Sequence, residues 1–237
     1  MSGLLSTTAV SPFDSVPSVL SAGGVNVNEL PANTVFNHTI DIGPPTPNRR
    51  ILAFNISDYF STSPTNPTLV QTCKFNGVTA ERVGLLLDGF VVSNRFSRYI
   101  LRPSAWTSHI VSEGTTASVE LSCTARTNWK SVGFLVVNNL SFPSATFGLQ
   151  TANSSMTIND IPSGRIHVFL CSASSISGGN SATSVTNTEF IFRGNNNADY
   201  GPTSAFFYQN RSRLSTPEPS VTFTANQGWN RVLFFWD

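Results

Sequence analysis

From Thr34 onward the chain is a series of short apolar runs separated by turn residues. Val35-Phe36-Asn37-His38-Thr39-Ile40-Asp41-Ile42 is closed by Gly43-Pro44-Pro45-Thr46-Pro47. Arg50-Ile51-Leu52-Ala53-Phe54 follows, and then Cys73-Lys74-Phe75 ends at Asn76-Gly77, a dipeptide that favours the tight turn of a hairpin. Tyr99-Ile100-Leu101-Arg102, Val119-Glu120-Leu121-Ser122-Cys123 and Ser131-Val132-Gly133-Phe134-Leu135-Val136-Val137 complete the first half. Runs of this length, with no strongly amphipathic helical period between them, predict strands of an antiparallel sandwich or barrel.

The second half repeats the first in order. Thr39-Ile40-Asp41-Ile42 returns as Thr157-Ile158-Asn159-Asp160-Ile161, and Arg50–Phe54 as Arg165-Ile166-His167-Val168-Phe169. Cys73–Gly77 returns as Phe190-Ile191-Phe192-Arg193-Gly194. The closing hairpin, Leu121–Ala125 then Trp129 then Val132–Phe134, matches Val221–Ala225, Trp229 and Val232–Phe234 without a gap. Such self-similarity is the mark of a duplicated structural unit. The expected organisation is all-β: an extended N-terminal arm over residues 1–33, a sandwich over 34–141 and a diverged second sandwich over 142–237. Each sandwich would be immunoglobulin-like or jelly-roll-like. Pro12, Pro17 and Pro31 punctuate the arm, a Ser/Thr/Gly-rich stretch without a sustained period.

Composition narrows the function. Charged residues are 11% of the 237 positions and the net charge is +1, so no field exists to gather nucleic acid or an anionic membrane. Eighteen Phe residues supply mass for the sandwich cores. No apolar run is long enough for a membrane-spanning helix. The first residues, Met1-Ser2-Gly3-Leu4-Leu5-Ser6, lack a basic start and a long apolar core. A secretory leader is therefore not expected, and the sequons at Asn37, Asn55, Asn139, Asn153 and Asn210 are read as coincidence.

Candidate chemistry is sparse. His38 and His167 sit inside predicted strands, and neither they nor His109 has an acid or thiol at ligand spacing. Cys73, Cys123 and Cys171 follow no metal spacing and are read as reduced core thiols, with a Cys73–Cys123 bridge between sheets as the alternative. Asp58, Asp88 and Asp199 fall in or beside predicted loops, where short acids bond the local backbone. No phosphate loop, nucleophile elbow or carboxylate pair stands out, so neither an enzyme nor a cofactor is expected. Trp106 and Tyr99 are candidate exposed rings for stacking on a sugar. The last strand, Val232–Trp236, is apolar on both faces. One face would serve the core, and Leu233, Phe235 and Trp236 are candidate interface residues toward the neighbouring domain or another subunit.

The order Arg49–Phe54, Phe75–Ala80, Val119–Ala125 and Ser131–Val137 resembles a group of tailed-phage structural proteins. Those proteins read as an "RRILVAI", "IGGVAAT", "VVVTFS", "GIGVWRV" series, often with a second half ending in an aromatic strand. The stretch between Arg82 and Glu113 departs from that pattern as an insert. The resemblance implies a virion location after synthesis in the host cytoplasm, and no catalytic or binding residue. The expected role is a capsid decoration or tail-associated subunit that packs against other virion proteins, and against copies of itself, through its arm and strand edges. The alternative is a carbohydrate-binding or receptor-binding module of a tail fibre or spike that takes a host-surface glycan.

Overall fold

The computed structural model describes residues 17–30, 34–60, 70–85, 90–93, 98–123, 127–140, 145–152, 155–157, 166–174, 182–186, 189–194, 202–210, 220–223 and 229–236. Among them there is no helix, and the strands form antiparallel sheets. In chain order these begin with β1 (Ser18–Leu30), β2 (Val35–Asp41), β3 (Arg49–Phe60), β4 (Val70–Phe75), β5 (Val78–Thr79) and β6 (Glu81–Leu85). Next come β7 (Phe90–Ser93), β8 (Arg98–Thr107), β9 (Thr116–Cys123), β10 (Thr127–Asn138), β11 (Ala145–Ala152) and β12 (Ser155–Thr157). The last are β13 (Ile166–Ser174), β14 (Ala182–Thr186), β15 (Glu189–Gly194), β16 (Pro202–Asn210), β17 (Ser220–Phe223) and β18 (Trp229–Trp236).

The sheet orders repeat. A central sheet runs β1-β10-β3-β8-β6, with β7 also paired to β8, and a second sheet runs β11-β18-β13-β16-β15. A third runs β2-β9-β4-β5 and a fourth β12-β17-β14. Matching the orders equates β1 with β11, β10 with β18, β3 with β13, β8 with β16 and β6 with β15. It also equates β2, β9 and β4 with β12, β17 and β14. Only β5 and β7 lack counterparts among the described strands.

This topology revises three sequence expectations. Ser18–Leu30 of the expected arm is β1, paired with β10 from Ser18↔Asn138 to Leu30↔Thr127. Its polar, glycine-bearing sequence hides the strand, because half of its order comes from β10. The stretch from Arg82 to Glu113, expected as an insert, supplies β8, an interior strand of the central sheet. Finally, Cys73–Gly77 on β4 corresponds to β14, whereas Phe190–Gly194 forms β15, the counterpart of β6.

The core lies on both sides of the central sheet. Ile51, Ala53, Trp106, Val132, Phe134 and Val136 pack against Ile40, Cys73, Phe75, Ala117, Val119 and Leu121 of the β2-β9-β4-β5 sheet. Leu52, Phe54, Ala105, Leu135 and Val137 point the other way, onto Ile166, Val168, Ile191 and Tyr208 of the second half. A strand covered on both faces needs apolar residues at consecutive positions rather than at alternate ones. That is why Ile51–Phe54 and Val132–Val137 read as unbroken runs, only Gly133 interrupting.

Turns are set by local chemistry. Asn76 and Gly77 have φ of 49° and 79°, the left-handed pair a tight hairpin between β4 and β5 requires. Asn76 is anchored further: its N–H donates to the Ser118 carbonyl and its Oδ1 accepts from the Ser118 N–H, both at 2.9 Å.

Candidate interaction surface

The loop after β2 and the loop before β9 meet over Arg49. Its guanidinium is buried and donates to six backbone carbonyls. Nε reaches Val111 at 2.8 Å, and Nη1 reaches Ile42, Gly43 and Pro44 at 3.1, 2.9 and 2.6 Å. Nη2 reaches Glu113 and Gly114 at 2.7 and 2.8 Å. Burial pulls its pKa down from the ordinary arginine value and the charge of Glu113 acts in the opposite sense. The planar fork with several donors suits this task in a way an ammonium would not. The arginine knots two loops together, and its donors are spent on the protein's own backbone.

The histidines divide by environment. His38 stacks with Phe36 at 5.9 Å and with Phe134 at 6.5 Å. His167 is buried on β13, and His109 is half-buried beside Ser108. Among the described residues no three His, Cys, Asp or Glu side chains gather as a metal site. Cys73 is a free thiol in the core, pushed up in pKa by burial, so the alternative of a Cys73–Cys123 bridge does not hold. Asp58 lies within β3 rather than a loop, while Asp88 and Asp199 lie outside the described residues.

The candidate site residues fare differently. Trp106, expected as an exposed sugar contact, is 1% exposed in the core, with the Arg82 guanidinium 5.6 Å from its ring centre. Its flanking sequence, with Ser104 and Thr107 beside it, reads as a polar loop. Pairing of β8 with both β3 and β6 is what buries it. Tyr99 lies on β8 opposite Phe60, and its side chain is outside the described residues. Leu233, Phe235 and Trp236 lie on β18, between β11 and β13. The register sets Trp236 opposite Ile166 and Phe234 opposite Val168; Ile166 and Val168 pack against the central sheet, while the β18 side chains lie outside the described residues. Leu233 and Phe235 stand opposite Phe169 and His167.

A feature that residue patterns did not single out is a groove between β1 and β2, of about 290 Å³. β1 and β2 are the edge strands of their sheets. Its floor is Phe134 and Val136 of β10, one wall is Ser21–Gly24 and the other is His38–Asp41. The groove exists because β1 presents hydroxymethyl and hydrogen, at Ser21 and Gly23, opposite Val136 and Phe134. At one end it is closed by the Ser21 hydroxyl, which donates to the Asp41 carbonyl at 3.3 Å. The only sequence signal for it is the Ser-Ala-Gly-Gly run, which reads equally well as linker.

No helix among the described residues is long and apolar enough to cross a membrane. Compared with known proteins, the chain matches no family model, no curated protein and no solved structure.

Proposed function

We propose that the chain is a structural accessory subunit of a tailed-phage virion, a capsid decoration or tail-associated protein that works by packing against other virion proteins. In this reading it consists of two tandem jelly-roll-like sandwiches, a fold type that viral capsid domains use among others. The observation that carries it is the repeated strand order, with the two halves joined through one shared apolar layer. A double unit of this kind is a stiff block with sheet edges at its sides, suited to joining subunits by strand addition and apolar contact. The resemblance of Arg49–Phe54 and Ser131–Val137 to phage structural strands points the same way, as does the use of Arg49 for internal knotting. The burial of Trp106 removes the leading sugar contact from the receptor-binding alternative.

The test is protein mass spectrometry and antibody labelling of particles purified from the host that carries the gene. Labelling at a fixed place on the head or tail, at a regular copy number, is the expected outcome. A chain abundant in the lysate but missing from washed particles would end the virion reading.

A further inference from the structure

We draw no further inference here: the strongest candidate, the groove between the edge strands β1 and β2 with Phe134 and Val136 at its floor, lies along a sheet edge, and nothing in the structure shows what covers it.

Discussion

β9 and β10 are neighbours in sequence and pack on one another through their sheets, yet they are written in different grammars. In β9, Ala117, Val119 and Leu121 are buried, while Thr116 and Ser118 are exposed and Glu120 and Ser122 partly so. In β10 every position from Val132 to Val137 is buried. The two have the same backbone geometry. β9 faces water on one side, whereas β10 is covered by the β2-β9-β4-β5 sheet on one face and by the second half on the other. Strand sequence thus reports how many layers lie over a strand rather than the fact of its being a strand.

If that difference is real, the largest loss should come from the face of the central sheet that meets the second half. Phe54→Ala empties a buried ring site between Leu135 and the Ile166–Val168 strand. It is expected to cost about 3–5 kcal/mol in chemical denaturation. A loss under about 1 kcal/mol would mean that the second half does not cover this face.

An intermediate effect is expected from Cys73, on the inner face of β4. Burial raises its pKa, so the folded chain holds the thiol protonated while the unfolded chain ionises near 8.5. The stability it contributes is whole below that value and is lost progressively as pH rises from there toward the raised folded value. The slope approaches about 1.4 kcal/mol per pH unit. Denaturation curves at rising alkaline pH should show this loss in the wild-type chain and lack its Cys73 part in Cys73→Ala. Identical slopes in the two proteins would place Cys73 outside the core.

The smallest effect belongs to the wet face of the outer sheet. Lys74 and Glu120 pair with side chains 35% and 32% exposed. Lys74→Ala should change stability by about 0.2–1 kcal/mol, and less in high salt. A larger, salt-insensitive loss would show that this face is also covered, erasing the contrast between the two strands.

Much of the fold was legible in the chain. Val35–Ile42 up to Asp41, Arg50–Phe54, Cys73–Phe75, Tyr99–Arg102, Val119–Cys123 and Ser131–Val137 fall on strands, and Asn76-Gly77 makes a tight turn. The repeat read along the chain and the strand pairings differ in register. Val132 and Phe134 pack against the β2-β9-β4-β5 sheet, whereas Phe234, the position matched to Phe134, is paired with Val168, which packs against the central sheet. A slip of one residue exchanges the two faces of a strand, and strands apolar on both faces give no pattern by which to detect it. Of the candidate site residues, Trp106 went to the core. The groove escaped notice because it is made by what Ser21 and Gly23 lack.

The sequence by itself determined that the chain is all-β and where most strands of the first half lie, because alternation and turn residues are local properties. Only the tertiary structure decided that Ser18–Leu30 is a sheet edge, that the central sheet is covered twice, and that β1 and β2 leave a groove. Those depend on which distant segment supplies the missing hydrogen bonds and the covering apolar surface, and a residue's own neighbours along the chain carry no record of that.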